Sequence, residues 1–411
     1  MNKHLLLGTA LLVAISAFPQ AGKLAKPTGI IETKKQIITQ EPNAQNAAAF
    51  SGTVKQTVKQ AKNVLNGEYK VATASNLFTG SMNVFGYLVS QSRPLQYNKG
   101  VNAVSFVARK NGTYTAASNS NSGTMVGLYS TNLGQTWNET CLWSSALEGR
   151  YPNGGIFNPL GNTNPLNAYI VGSGPYHVGG VWTGDWFASK QITVPGTTTN
   201  GPDAQSLTSA SSGGKHDFAR YAFTTIDGGT ARSMGNLMND VNGTTYAAQG
   251  LRGASMMKGI FSAGAFVWSV DSFKPPVNTR PSDGSKIIHD VPLQAWDDAG
   301  VVGYVVMLGS RAGTNAQMRG YQPIVYKTTT SGASWSLLPA NDFADPNFFR
   351  SLYDRLYPIN TNSTVICANF RGTEGFDIAV DCNGQLNIAS MVYGHYSNHL
   401  DSLDYRYTYG T

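Results

Sequence analysis

One eight-residue stretch, Ser130-Thr131-Asn132-Leu133-Gly134-Gln135-Thr136-Trp137, constrains this chain more than any other. It lies between two apolar runs, residues 125–129 and 141–143. Asn hydrogen-bonds its own backbone, and Asn and Gly both tolerate positive φ, whereas Ser, Thr and Trp suit strands. The stretch therefore predicts a tight turn that joins two antiparallel strands. Thr328-Thr329-Thr330-Ser331-Gly332-Ala333-Ser334-Trp335 repeats the spacing far downstream in a weaker form. Two such turns in one chain point to a repeated β architecture.

The rest of the sequence agrees with that direction. Charged residues make up 13% of the chain, about half of the ~25% usual in soluble domains. From residue 76 onward, short apolar runs alternate with clusters of Gly, Asn, Asp and Ser, from 82–89 to 386–392. Runs at 101–109, 123–129, 137–143, 168–172, 181–188, 221–225, 244–248, 259–270, 301–308, 324–328, 365–370 and 376–380 read as strands. Their regular succession predicts an all-β propeller of about five to seven blades, at ~40 to 50 residues per blade. The runs 101–108 and 301–308 are apolar on both faces. They are expected to be innermost or second strands, buried on both sides. Trp137 and Trp335 are expected in the core, stapling outer hairpins.

Three segments follow from the pattern. Met1-Asn2-Lys3-His4 precedes an apolar run over 5–15, with small residues at Ser16, Ala17 and Ala21, so residues 1–21 read as a secretory signal peptide. No later stretch reaches the roughly 20 apolar residues of a membrane span. Residues 22–75 form a basic, polar lead-in or linker, with eight Lys against three Glu between residues 21 and 70. Residues 76–411 form the propeller. The net charge of +7 thus belongs mostly to the lead-in, and no Lys/Arg run tracks a phosphate backbone, which argues against nucleic acid. Of the three cysteines, Cys367 and Cys382 lie close enough in sequence to fall on neighbouring strands and are the favoured disulfide pair. Cys141, Cys367 and Cys382 as buried thiols is the equal alternative.

The spacing Ser-x-Asn-x-Gly-x-Thr-Trp resembles the Asp-box, or bacterial neuraminidase (BNR) repeat, with Asn in the Asp place. Together with Leu88-Val89-Ser90-Gln91-Ser92-Arg93-Pro94-Leu95, the phrase from Arg150 to Pro159 and Asp401-Ser402-Leu403-Asp404-Tyr405, it is similar to secreted sialidase-like propeller proteins of Bacteroidota. The resemblance implies export by the type IX secretion machinery and attachment to the outer cell surface. Those relatives usually end in a C-terminal sorting domain. Here the sequence stops at Tyr409-Gly410-Thr411, just after a strand-like segment, and the expectation is a truncated reading frame.

An exo-sialidase would need three Arg to clamp a carboxylate, a Tyr–Glu nucleophile pair and an Asp acid/base. No Phe/Tyr-Arg-Ile-Pro supplies the first Arg, and Arg150-Tyr151-Pro152 is only a distant echo. Arg252, Arg319, Arg350 and Arg371 have no context that assigns them to a clamp. No catalytic residue carries over. His395 and His399 have a metal-pair spacing but stand in strand and turn surroundings. Asp381, Asn383 and Gly384 lack the other ligands of a calcium loop, so no metal is expected, and no motif requires a cofactor. Asp297-Asp298 and His289-Asp290 could together make a small acidic pocket, although turns account for them as well. Trp182, Trp186, Trp268, Trp296 and Tyr321 lie in or beside Gly-rich connections, where rings either stack on a ligand or pack between blades. Arg150, Tyr151, Arg252 and His289, all flanked by turn residues, are the expected ligand-binding residues. The leading function is a secreted or surface-bound propeller that binds a glycan or protein ligand without catalysis. An exo-sialidase and a structural part of a larger adhesin are the alternatives, since an Asp-box is a fold element and fold does not dictate function.

Overall fold

The computed structural model describes residues 93–110, 123–144, 147–178, 181–192, 205–207, 219–238, 250–313, 319–341, 367–395 and 397–404. All belong to one compact unit, Ser75–Thr411. The expected signal peptide, the lead-in, the strands at 82–89 and 244–248 and the strand-like 405–409 lie outside the described residues.

The chain lays down antiparallel sheets one after another. The first contains β1 (Leu95–Asn98), β2 (Ala103–Lys110), β3 (Thr124–Ser130) and β4 (Asn138–Trp143), paired in that order. In the second, β5 (Glu148–Gly149) and β6 (Asn153–Phe157) both pair with β7 (Tyr169–Val178), followed by β8 (Val181–Gln191) and β9 (Gln205–Leu207). The third runs β10 (Tyr221–Ile226), β11 (Thr230–Met238), β12 (Leu251–Ser262) and β13 (Ala265–Phe273). The fourth runs β14 (Leu293–Trp296), β15 (Gly303–Gly309), β16 (Gln322–Thr328) and β17 (Ser336–Leu337). A hairpin of β18 (Cys367–Val380) and β19 (Leu386–His395) completes the described strands.

The first strands of successive sheets lie side by side. β1 packs beside β6, β6 beside β10, β10 beside β14, and β14 beside β18. Arg93, just before β1, donates to Asp377 and to the carbonyl of Ile378 on β18, so the succession returns to its start. Between sheets the core is apolar and close. Val107, Met125, Ile156, Ile170 and Trp186 form one cluster across the first two sheets, and Phe157, Phe187, Phe223, Met257 and Trp268 form another across the second and third. Burying side chains of this size contributes roughly 1.5–3 kcal/mol each. β15 is the second strand of its sheet and is buried along its whole length, as its two-sided apolar run predicts. β2 is also a second strand, but its first half alternates. Gly154 on β6 shows how near the sheets come: a Cβ there would overlap Val107.

Both eight-residue turns form hairpins with one hydrogen-bond plan. Ser130 Oγ accepts from Gly134 N at 2.8 Å, and Asn132 Oδ1 accepts from Thr136 N at 2.9 Å. In the second copy Thr328 Oγ1 accepts from Gly332 N at 3.1 Å, and Thr330 Oγ1 from Ser334 N at 3.0 Å. Positive φ falls on Leu133 and Gly134, and on Ser331 and Gly332, rather than on Asn132. Two consecutive positive-φ residues match the right-handed twist of the flanking strands. Trp137 donates to Gly134 O at 3.1 Å and is half-buried against Phe106 and Leu128, while Trp335 meets Phe273 and Trp296 edge-on. Trp137 caps its hairpin beside a small cluster, whereas Trp335 packs, partly buried, against the main core as expected.

Other expectations need correction. The run 259–270 is two strands, because Ala263 and Gly264 turn with φ of 50° and 83° and pair Ser262 with Ala265. The runs 365–370 and 376–380 join into one strand, β18, with a register shift between Arg371 and Phe376. Cys367 and Cys382 cannot pair: one lies at the first residue of β18 and the other in the turn beyond its last, and Cys382 is an exposed free thiol. Asp381 holds that turn by accepting from Asn383 N and Gln385 N at 2.9 and 2.8 Å, so it serves the backbone.

Candidate functional site

The two ends of the first strands carry different chemistry. At the leading ends, where the chain enters each strand, stand Arg93, then Arg150 and Tyr151, then Arg220, then His289 and Asp290. Three of these entrances force a non-glycine residue to positive φ: Arg93 at 45°, Tyr151 at 41° and Ala222 at 44°. An L-residue held there costs about 1–2 kcal/mol, and such strain gathers where structure serves a purpose other than stability.

The side chains at these ends touch in sequence. Arg150 donates to Glu148 Oε2 at 2.7 Å and to Gly149 O at 2.8 Å, and its own N–H reaches Pro175 O at 2.7 Å. Burial pulls the Arg150 guanidinium below its ordinary pKa, with Glu148 opposing. Arg220 spans the next two entrances. Its guanidinium lies 5.1 Å from the Tyr151 ring centre and 4.9 Å from that of Tyr221, donates to Tyr221 Oη at 2.6 Å, and comes within 3.8 Å of Asp290. Such cation–aromatic contacts contribute ~0.5–2 kcal/mol. Burial pushes the Tyr221 phenol up to about 12.

Beyond Asp290 opens a cavity of about 480 Å³, lined among others by Arg280, Lys286, His289, Asp290, Tyr321 and Asp404. Tyr321 is its fixed point. Its hydroxyl donates to Asp404 Oδ1 at 2.6 Å and accepts from Arg280 Nη2 at 3.0 Å, while Arg280 also pairs with Asp404. Burial raises the Tyr321 pKa well above the usual phenol range, so the ring keeps its proton. The His289 ring stacks on Tyr321, 4.1 Å between centres and tilted by 27°. The lining also offers the Ser282 and Ser285 hydroxyls and the carboxylate of Asp283, which accepts from Ser285 N at 2.9 Å. Hydroxyls, charges of both signs and a stacked ring pair suit a ligand with many hydroxyl groups.

A second cavity, of about 370 Å³, opens at the trailing ends of β1, β10 and β14. Short side chains fasten this end. Asp227 Oδ1 accepts from Asn98 Nδ2 at 2.8 Å and from Asn158 N at 3.1 Å, and Asn98 Nδ2 also reaches Ile156 O at 3.1 Å. Asp297 Oδ1 accepts from Val301 N and Val302 N at 2.8 and 3.1 Å, and exposed Asp298 pairs with Lys99. The acidic pocket joining Asp297-Asp298 to His289-Asp290 therefore does not form: the pairs lie at opposite ends of β14.

The expected ligand residues reach the leading ends. Arg150 and Tyr151 sit together, and Arg220 and Asp290 link Tyr151 to His289. Arg252 follows Leu251, which lines the cavity, and its Nη1 donates to Leu251 O at 3.2 Å. Of the five aromatic candidates, Trp186 and Trp268 are buried in the core and Trp296 is half-buried under the Arg232 guanidinium at 3.8 Å. The Trp182 side chain lies outside the description. Only Tyr321 lines the leading cavity. Arg220, Arg280 and Asp404 were not legible as site residues. His399 is exposed and caps a short 3-10 turn, on which Asp401 N donates to its Nδ1 at 3.4 Å. Among the described residues no group of three or more His, Cys, Asp or Glu is placed to hold a metal, and no helix is long and apolar enough to cross a membrane.

No family model matches the chain, and no curated protein matches it. Solved structures overlap it weakly. A glycoside hydrolase family 43 arabinoxylan arabinofuranohydrolase from Bacillus subtilis overlaps at a TM-score of 0.30 and 13% identity, over 61% of this chain and 52% of that one. The chain therefore spans about half the length of that enzyme. An α-L-arabinofuranosidase from Fusarium graminearum overlaps at a TM-score of 0.31 and 9% identity, over 61% and 67%. A further glycoside hydrolase overlaps at 0.22 and 12%, over 72% and 86%.

Proposed function

We propose that this chain is a glycan-binding β-propeller whose ligand seats over the leading ends of the first strands and is not turned over. One observation carries the reading: the cavity that begins at Asp290 combines hydroxyls, a His289–Tyr321 stack and an Asp404 carboxylate held by Tyr321 and Arg280. Asp404 is engaged by Tyr321 and Arg280, and Asp290 and Glu148 face Arg220 and Arg150. A glycosidase of the two-carboxylate type needs one carboxyl free to give a proton and another free to attack or to activate water. Among the described carboxylates of the lining, Asp283 carries no ion pair while Asp290 and Asp404 are paired. That is one such group where the mechanism uses two, which favours holding a sugar over cleaving it.

The same reading takes each sheet as one blade, which gives five blades with the β18–β19 hairpin as part of the fifth, and takes the hairpins at Ser130–Trp137 and Thr328–Trp335 as Asp-box turns. It assigns residues 1–21 to a secretory signal, and the mature chain to the medium or the outer cell surface. Export through a type IX system in a Bacteroidota cell belongs to this proposal.

The test is a printed glycan array read alongside a panel of fluorogenic glycosides that includes a sialoside and an arabinofuranoside. The expected result is glycan binding without turnover, weakened about tenfold by Arg220→Ala, in line with loss of a charged contact. Turnover that Arg220→Ala abolishes would replace the binding reading with a glycoside hydrolase.

A further inference from the structure

One wall of the leading cavity is a hairpin that none of the sheets includes. Residues 279–286 supply Arg280, Ser282, Asp283, Ser285 and Lys286 to the lining. The hairpin closes on itself: Thr279 bridges Lys286, Arg280 N donates to Ser285 O at 2.8 Å, and Gly284 N donates to Arg280 O at 3.0 Å. At its base Asn278 N donates to Ser310 O at 2.7 Å, and Ser310 N donates to Ile287 O at 2.9 Å. Its tip, residues 281–284, is exposed. A lone two-stranded hairpin is marginally stable at best, so the place of the tip depends on what else holds it.

The support comes from far downstream, from residues 397–404. Asp401 Oδ1 accepts from Ser282 Oγ at 2.7 Å and from Ser282 N at 3.2 Å, and Asp404 pairs with Arg280. Among the described residues, these and the Arg280–Tyr321 contact are the hydrogen bonds that tie the hairpin to other segments above its base. The downstream segment is itself pinned. Leu403 is fully buried against Ile287 and Tyr321, its carbonyl accepts from Asn369 Nδ2 at 2.9 Å, and Asn369 Oδ1 accepts from Tyr321 N at 3.0 Å. The Ser282 hydroxyl chiefly holds the Asp401 carboxyl below its usual pKa, so it is ionised at neutral pH. Asp401 does not stand in the described lining of the cavity.

We infer that residues 397–404 form a latch and that Asp401 is a positioning residue for the ligand site. Docked, the latch holds the 279–286 hairpin as a wall of the cavity; released, it leaves that wall unsupported. The inference rests on the glycan reading above for what the wall meets, and adds how the site is kept in shape. A ligand that touches Arg280, Ser282 and Lys286 together binds only the docked form, so its apparent affinity scales with the docked fraction. By the same linkage, bound ligand stabilises the latch. A segment held by one leucine and a few hydrogen bonds opens at lower cost than the paired sheets.

The experiment compares the full wild-type chain with Asp401→Ala and Asp401→Asn. Amide hydrogen exchange without ligand comes first. Asp401→Ala should exchange faster at residues 280–286 and match wild type at the buried strands β6 and β15, while Asp401→Asn, which keeps an acceptor for Ser282, should lie between. Binding is then followed on a biosensor that carries the tightest-binding oligosaccharide of a printed array of neutral and acidic glycans. Asp401→Ala should bind about fivefold more weakly, as the docked fraction falls. The loss should lie in the association rate, whereas losing a contact to the ligand would speed dissociation. Unchanged exchange at 280–286 would overturn the latch. Faster exchange with unchanged affinity, or a loss confined to the dissociation rate, would overturn the positioning role and leave the glycan reading intact. Should the wild-type chain bind no glycan, that reading falls, and the exchange result alone supports the latch or overturns it.

Discussion

The first strands are fastened at one end and left chemically open at the other. At the trailing ends, short side chains close on their neighbours: Asp227 ties Asn98 of β1 to Asn158 just beyond β6, and Asn98 Oδ1 in turn accepts from Gly100 N at 2.9 Å. At the leading ends the side chains are long, three backbone positions are held in the left-handed region, and His289 Nε2 is buried without a hydrogen-bond partner among the described residues. Positive φ also occurs at the trailing end, at Asn102, but there it closes a turn between the paired strands β1 and β2. At the leading ends it falls on residues entering strands, and strain of that kind gathers at functional sites.

Four changes would break or sharpen this contrast. The largest effect should come from Trp186→Ala, about 3–5 kcal/mol of stability. Trp186 is fully buried, and Gly149, Gly172 and Gly174 lie directly against its ring, so the segment that carries Arg150 and Tyr151 rests on it. Urea denaturation should show the loss, and glycan affinity should fall with it. Asp227→Ala comes next, at about 1–3 kcal/mol, because it strands the Asn98 and Asn158 donors. It should leave glycan affinity unchanged, and Asp227→Asn should restore part of the stability; a drop in affinity would mean that the two ends are coupled.

Acidification should act on the leading end by a smaller amount. The folded His289 has a pKa below its unfolded value, so the unfolded chain binds the proton more readily. The stability this gives is fully present above the unfolded imidazole range, about pH 6.5, and declines as pH falls toward the folded value. Melting temperature should therefore fall more in the wild-type chain than in His289→Gln between neutral and mildly acidic pH. The smallest effect belongs to the hairpins, which turn on the same edge as the trailing ends. Ser130→Ala and Thr328→Ala should each cost about 0.5–1.5 kcal/mol, with no change in binding.

The turns were legible because their chemistry is local. Ser130, Asn132 and Gly134 satisfy one another within a few residues, and the copy at Thr328 keeps the plan with hydroxyls. β6 was not legible, since Asn153-Gly154-Gly155 reads as a turn. Its glycines instead let Val107 and the β7 backbone come close. The hairpin at Ala263-Gly264 lacks the Asn-Gly that marks such turns, so two strands read as one. Arg150, Tyr151 and His289 stood out because turn residues flank them. Arg252 is flanked in the same way, and its guanidinium donates to Leu251 O. Arg220, Arg280, Tyr321 and Asp404 meet only through the order of the sheets, which no local pattern records. Trp186 and Trp268 show the same limit, because a ring beside glycines can equally fill the space those glycines leave.

The central claim is that ligand sits at the leading ends. Amide hydrogen exchange of the full chain, with and without a saturating glycan taken from the array, tests it most directly. The account predicts added protection at residues 280–290 and around Arg150 and Tyr151, with no change at residues 97–99 and 296–298. Protection confined to the trailing residues would contradict it.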